Sequence, residues 1–494
     1  MPDLNGPSKV DQALHAVRLR YARHYLDVLR SCQKLYVHKQ DAGAALRLFD
    51  AEWLHILNAQ AYTVECSADN GESLQIASDY VDIPAQIFDL RVLPAMRVKW
   101  IQTAMAAAER AGDETAVCRH LNNLGRAYSR MGHPRQAITI HQEQLDLSRK
   151  LKNRRLEGAS LANLAAAHAN LNEDRQTVLL HEQALEIFRE LGERRFEADV
   201  LDGLGAAQTK LGDARRAIGY CEEAVKIFAL VKDPLNEATS LSNLGSAYFQ
   251  DGRMESAIES FQRSLVLFKQ LGYARGEGLT LSNLGLCALT KEEFPRAITL
   301  YERALTLAKS GADPYGESYV MGKLGLAYIL SGEVARGAEI TEELLEKARQ
   351  SNDWQGEGDA LDCLGRAREV LGDFNQAARF YQQGLAVFRR AKDRRGESNL
   401  LGNLGNAYLK AEKYAEAMEC YEADLKIARE LSEPRGESRT LYNLSVALWE
   451  TGRGHEAVAE AGIALAILES IKDVSAPLVR AQIAEWERSL ADQI

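Results

Sequence analysis

The 494-residue sequence contains no run of eighteen apolar residues, so no membrane-spanning helix is expected. Its first ten residues, MPDLNGPSKV, lack the apolar core of a secretion signal. Cysteine is sparse: Cys32, Cys66, Cys118, Cys221, Cys287, Cys363 and Cys420 are odd in number, scattered, and never spaced C-x-x-C. That argues against a disulfide framework and a zinc site, and for a reducing, cytoplasmic location. Basic charge is short as well: 60 Lys and Arg stand against 70 Asp and Glu, a net charge of −10. Phosphate neutralisation needs a concentrated basic face, so nucleic acid is not an expected partner, and neither is a membrane.

Catalytic signatures are also missing. There is no G-x-x-x-x-G-K-[ST]; the nearest fragment, Gly322-Lys323-Leu324, sits within a helical pattern and lacks the hydroxyl after Lys. There is no H-E-x-x-H and no G-x-S-x-G, and no Cys is paired by sequence with a positioning His. His141 and His181 fall in a slot that Phe261 and Tyr301 fill elsewhere, which makes them packed interface residues. The chain is therefore expected to be no enzyme and to need no cofactor or metal.

What is present is a repeat. Leu124-Gly125, Leu164-Ala165, Leu204-Gly205, Leu244-Gly245, Leu284-Gly285, Leu324-Gly325, Leu364-Gly365, Leu404-Gly405 and Leu444-Ser445 recur every forty residues without insertion or deletion. A fixed period of that length marks a solenoid. Each unit reads as two amphipathic helices, A and B, around a turn. In one unit Leu241, Leu244 and Tyr248 share a face of helix A, and Ile258, Phe261, Leu265 and Phe268 share a face of helix B. Gly inside a helix costs roughly 1 kcal/mol relative to Ala, so its recurrence after Leu predicts close approach of a neighbouring helix. Phe261, Tyr301, Tyr381 and Tyr421 share one slot and supply the large partner; Ala137, Ala217, Ala257, Ala297, Ala377, Ala417 and Ala457 recur early in helix B.

Leu-Gly, a Tyr three residues on, Ala opening helix B and then an aromatic: this pattern, over 116–472, resembles the tetratricopeptide repeat. The forty-residue length, with Arg-Gly-Glu at 275–277, 395–397 and 435–437, resembles a longer subclass carried by kinesin light chains and by the sensor halves of signal-transducing ATPases. The segments RHYLDVLRSC (23–32) and LRLFDAEWLHILNAQ (46–60) are similar to the helical block that precedes the repeats in those bacterial ATPases, here without the ATPase core. The resemblance implies an all-α fold, a right-handed superhelical solenoid of helical hairpins with an N-terminal helical region. The expected divisions are a flexible tail at 1–8, an N-terminal helical domain at 9–115 ending in a degenerate repeat, nine repeats over 116–472, and a capping helix in 473–494. Within the N-terminal domain one helix is expected to run through Val17, Tyr21, Tyr25 and Leu29, and a second through Leu46, Phe49, Trp53 and Ile56. A break is expected at 67–72, and further helices at 74–90 and 93–111.

Two ladders follow the period. Glu157, Glu197, Glu237, Glu277, Glu317, Glu357, Glu397 and Glu437 each sit in the first turn of helix A, where the helix dipole favours a carboxylate. Arg155, Arg195, Arg275, Arg395 and Arg435, two residues earlier, are positioned to pair with a Glu of their own or the adjoining unit. Asn123, Asn163, Asn243, Asn283, Asn403 and Asn443 precede the buried Leu, about 100° around helix A from it. In the resembled superhelices helix A lines the concave groove, which implies that these carboxamides hold a peptide backbone, donating to C=O and accepting from N–H. Gly203, Lys323 and Cys363 interrupt the ladder. Beside it, Leu279, Leu286 and Leu289, then Tyr319, Leu326 and Ile329, share helix faces and are the candidate specificity residues. The expected function is a scaffold that takes an extended or amphipathic segment of one or more partner proteins. The alternatives are a regulatory sensor subunit of a signal-transducing ATPase and an intracellular peptide receptor.

Overall fold

The computed structural model describes residues 9–38, 42–65, 71–82, 92 and 94–492, except 312, 432, 472 and 474. The expected tail at 1–8, most of the break at 67–72 and the 83–90 end of the third helix lie outside these residues. Among the described residues all regular structure is helical. Helices α1 (Lys9–His38), α2 (Ala42–Glu65), α3 (Gly71–Asp82) and α4 (Pro94–Ala111) come first. The A and B helices then alternate as α5 (Glu114–Arg130) and α6 (Pro134–Lys150), α7 (Arg154–Ala169) and α8 (Asp174–Leu191), and α9 (Arg194–Lys210) and α10 (Ala214–Leu230). They continue as α11 (Pro234–Gln250) and α12 (Met254–Leu271), α13 (Ala274–Thr290) and α14 (Phe294–Ser310), and α15 (Pro314–Leu330) and α16 (Val334–Ser351). The last are α17 (Trp354–Val370) and α18 (Phe374–Ala391), α19 (Arg394–Lys410) and α20 (Tyr414–Leu431), and α21 (Pro434–Glu450) and α22 (Gly454–Ser470), followed by α23 (Ala476–Ala491).

One joint makes every turn. After α5 the N–H of Gly132 bonds Ser129 O at 3.2 Å and that of His133 bonds Tyr128 O at 3.0 Å. This is the paired closure of a Schellman motif, which needs a left-handed residue at the first position past the helix. Such a residue recurs every twenty residues wherever the turn is described, from Gly112 to Gly452. Seven of them are not glycine: Lys152, Asn172, Lys232, Glu292, Asn352, Lys392 and Glu412. The next residue caps the following helix, as Asp113, Asn153, Asp233, Asp313, Asp353 and Asp393 do through a side-chain oxygen. Turns from A to B and from B to A thus share one geometry.

The chain forms two compact units, one running to residue 252 and including 270–272, the other comprising 253–269 and 273 onward. In the first, α1 buries Leu19, Ala22, Leu26, Leu29 and Cys32 against Phe49, Ile56, Tyr80 and Ile101. Of the expected stripe, Leu29 is buried and Tyr25 packs against the core, while Val17 and Tyr21 are exposed, at 54% and 36%. Phe49 and Ile56 are buried as expected, with Leu46 and Trp53 packed beside them. In the second unit the repeated glycine meets the repeated ring. A Cβ on Gly285 would stand 2.8 Å from Tyr301, and one on Gly405 2.5 Å from Tyr421. Helix α23 lays Trp486 on Trp449, with ring centroids 4.9 Å apart.

Ion pairs tie repeat to repeat: Arg155 and Arg395 do reach a Glu of the adjoining unit, but not the regular Glu of the ladder, which takes another partner. The regular Glu takes the Arg eight residues earlier, at the end of the preceding B helix: Arg149–Glu157 (3.0 Å), Arg189–Glu197 (3.0 Å), Arg349–Glu357 (2.9 Å), Arg389–Glu397 (2.8 Å) and Arg429–Glu437 (2.8 Å). The Arg two residues before that Glu reaches forward thirty-eight residues to an acid at the next A-helix boundary: Arg155–Glu193 (2.9 Å), Arg195–Asp233 (3.0 Å), Arg395–Glu433 (2.7 Å) and Arg435–Asp473 (3.0 Å). The arginines are half exposed, so each pair contributes little alone.

Candidate functional site: the inner face of the A helices

Within each unit successive A helices touch, as α9 does α11 and α15 does α17, while no successive B helices pack comparably among the described residues. The more closely spaced layer is the inner one, so the A helices line the concave side of each unit. The face they present there is built from positions 119, 122, 123, 126 and 129 of the first repeat and their forty-residue equivalents.

The asparagine ladder lies half buried on this face and bonds inward to the solenoid itself. Asn123 Nδ2 donates to Asp82 Oδ1 (2.9 Å), Asn163 to Asn122 (2.6 Å), Asn403 to Asp362 (2.6 Å), and Asn243 to both carboxylate oxygens of Asp202 (3.0 Å each). Every one of these bonds spans forty-one residues, from one A helix to the helix before it on the inner side. Asn443 reaches Asn406 at 3.3 Å, and Asn283 is half buried on α13. Where Cys363 replaces Asn, its Sγ lies 3.5 Å from Gly322 O in the same relation. Asn123, Asn163, Asn243, Asn403 and Asn443 therefore hold helix to helix, each through an Asp or Asn of an earlier helix.

The apolar candidates divide. Leu279 and Tyr319 are 48% and 39% exposed, while Leu286, Leu289 and Leu326 are half buried beside them. Ile329 is a correction: it is 1% exposed and packs with Cys363 and Ala367. Cys363 and Ala367 of α17 cover it from the next repeat, and Gly337 of α16 leaves room for it within its own. Lys323 extends over the Tyr319 ring at 5.3 Å.

A charged cluster adjoins this strip and was legible only in part. Asp359, Arg366 and Glu369 stand out in the sequence, but Asp362 organises them, accepting from Arg366 (3.0 Å) as well as Asn403. Loss of water pushes the Asp359 carboxyl up to about 6 despite the opposing pull of Lys323, and Glu369 is raised for the same reason. The first unit repeats the pair on α9, where Asp199 is exposed and burial raises Asp202. The missed signal is Asp-x-x-Asp, occupying identical slots at 199–202 and 359–362.

One arrangement had no local motif. Ser78 Oγ lies 3.1 Å from His120 Nε2, and His120 Nδ1 lies 3.9 Å from Asp82. Ser78 and His120 are 1% and 0% exposed, and burial holds the imidazole down to about 4. Sealed from solvent, the group joins α3 to α5 and presents no nucleophile. His141 and His181 are buried as well, against Gly125 and Gly203. The six described cysteines are all buried and unpaired, and no group of metal-ligating side chains occurs among the described residues. No described helix is long and apolar enough to cross a membrane.

Tetratricopeptide-repeat family models match residues 236–310 and 396–470, and a second such model matches 121–155. No curated protein matches the sequence. Solved structures similar in fold include a Rap protein complexed with competence and sporulation factor, 12% identical, with a TM-score of 0.50 over 76% of this chain and 97% of that one. Aspartyl phosphate phosphatase F from Bacillus subtilis is 14% identical, with a TM-score of 0.45 over 70% and 92%. A signal-transduction ATPase with a tetratricopeptide-repeat sensor from Pyrococcus horikoshii is 13% identical, with a TM-score of 0.43 over 80% and 52%. At these identities the likeness is one of fold. Tetratricopeptide repeats are thus matched over 121–155, 236–310 and 396–470, and the forty-residue hairpin with its glycine slot closed by a facing ring recurs in the same register between them.

Proposed function

We propose that the protein is a binding scaffold whose inner face takes an extended or amphipathic segment of a partner protein. The observation that carries this reading is the apolar strip of α13 and α15. Leu279 and Tyr319 are exposed on the side where successive A helices converge, with Leu286, Leu289 and Leu326 at their base. Contiguous exposed apolar surface on a folded domain usually marks a partner site. In this reading the asparagine ladder contributes rigidity: by bonding A helix to A helix it preforms the groove and lowers the ordering cost of association. The buried histidines and thiols favour recognition over turnover, and the unpaired thiols favour a cytoplasmic setting.

A photo-crosslinking amino acid placed at 279 or 319, compared with one at the exposed Val266 on α12, tests the reading in a native lysate. Partners trapped from both inner positions but not from 266, and lost in a Leu279→Ser/Tyr319→Ser variant of unchanged helicity, identify the groove and its ligand. Equal trapping from 266 overturns it.

A further inference from the structure

Positions 279, 319 and 359 are the same slot in three consecutive repeats, filled by Leu, Tyr and Asp. A carboxylate thus continues the line of the two exposed apolar side chains and faces the same side. Its neighbour Asp362 is satisfied, with one oxygen on Asn403 and the other on Arg366. Asp359 has no hydrogen bond and no ion pair within 4 Å among the described residues, and Lys323, the cation acting on it, lies on the Tyr319 ring. On the same helix Glu369 Oε1 is buried without a hydrogen-bond partner. A carboxylate stripped of part of its water and given no donor is costly unless something supplies the donor.

We propose that the bound segment carries a Lys or Arg next to its apolar residues, the apolar side chains resting on Leu279, Leu286, Tyr319 and Leu326 and the cation on Asp359. This rests on the groove reading above and adds the charge of the ligand to it. The first unit repeats the slot with an exposed carboxylate. Asp199 occupies the same slot, also has no hydrogen bond or ion pair among the described residues, and stands beside an Asp202 whose two oxygens are both held by Asn243. Arg195, the cation acting on Asp199, is already paired with Asp233 at 3.0 Å. An acidic ligand is repelled at both places. A cationic side chain at Asp359 gains a charge-assisted bond in surroundings with little competing water.

The test selects binders to the full-length chain from a random twelve-residue peptide library and measures the selected peptides by fluorescence anisotropy. Binders are expected to carry Lys or Arg beside apolar residues, and replacing that residue with Gln is expected to weaken binding about tenfold. Asp359→Asn or Asp199→Asn, isosteric and outside the helix-to-helix bonds, is expected to erase the difference between the Lys and Gln peptides. If binders show no basic preference, or the Lys–Gln difference survives both Asp→Asn changes, the cation assignment falls. The groove reading still stands if Leu279→Ser/Tyr319→Ser abolishes binding. If no peptide is selected, or that double substitution leaves binding intact, the groove reading falls and takes the inference with it.

Discussion

Asn403 on α19 donates to Asp362 on α17 across 2.6 Å, forty-one residues back along the chain. Asp362 in turn accepts from Arg366 at 3.0 Å, so the carboxamide completes a charge-assisted set on the inner face. Leaving a half-buried carboxylate short of a donor costs about 1–3 kcal/mol. Asn403→Ala is expected to lower protection of α17 and α19 in hydrogen exchange by an amount in that range. In a repeat array the loss stays near the altered interface. Asp362→Asn in the same background is expected to restore part of it. Unchanged protection in Asn403→Ala would show that the bond contributes nothing.

Gly405 faces the Tyr421 ring, with an added Cβ 2.5 Å from Tyr421 Cε1. Helix propensity alone favours Ala over Gly by about 1 kcal/mol, whereas forcing a methyl into a filled contact costs about 1–3 kcal/mol. Packing is expected to win: Gly405→Ala should lower the melting temperature. A rise would mean that Tyr421 can move aside and that the slot tolerates Ala, as position 165 does.

Glu292 and Glu412 sit at left-handed turn positions with φ of 58° and 60°. An L-residue there carries a penalty of about 1–2 kcal/mol that glycine avoids, partly offset by glycine's greater freedom in the unfolded chain. Glu292→Gly and Glu412→Gly are each expected to stabilise by up to about 1 kcal/mol, read from denaturant midpoints. The reverse change, Gly372→Ala at φ 75°, should destabilise.

Burial lowers both His120 and His181 to about 4. A histidine with a depressed folded-state value binds its proton first in the unfolded chain. Its contribution is therefore intact above the ordinary value near 6.5 and is lost as pH falls from there toward 4. For His181 the loss is on the order of 3 kcal/mol. Asp359, raised to about 6, acts in the opposite direction, losing stability as pH rises from about 4 to 6. His181→Phe, which borrows the residue of position 261, is expected to flatten the acid limb between pH 6.5 and 4. Asp359→Asn is expected to raise stability at pH 7 relative to pH 4. Denaturation midpoints across that range check both signs.

The period, the helix boundaries and the glycine-to-ring contact were legible because each is local or repeats at a fixed interval. Gly405 and Tyr421 lie one hairpin apart, whereas the seven left-handed turn sites without glycine carry no local mark of their conformation. The ion-pair ladder was legible in kind and in the reach of Arg155 and Arg395 to the adjoining unit, but not in the partner of the regular Glu. Glu157 and Arg155 are two residues apart in sequence, yet they point to Arg149 behind and Glu193 ahead. The face of α1 was misread in part because Val17, Tyr21, Tyr25 and Leu29 and the truly buried Leu19, Ala22, Leu26 and Leu29 both satisfy a helical period.

Sequence alone determined that this chain is a regular array of forty-residue helical hairpins, since hydrophobic period, turn chemistry and small-residue slots are read along one strand of text. Tertiary structure alone decided what the inner face offers. Whether Asn403 is free or engaged, and whether Ile329 is exposed or covered, depends on how closely one A helix approaches the next. That approach brings together residues about forty positions apart, Gly322 and Cys363 among them, whose meeting no local pattern records.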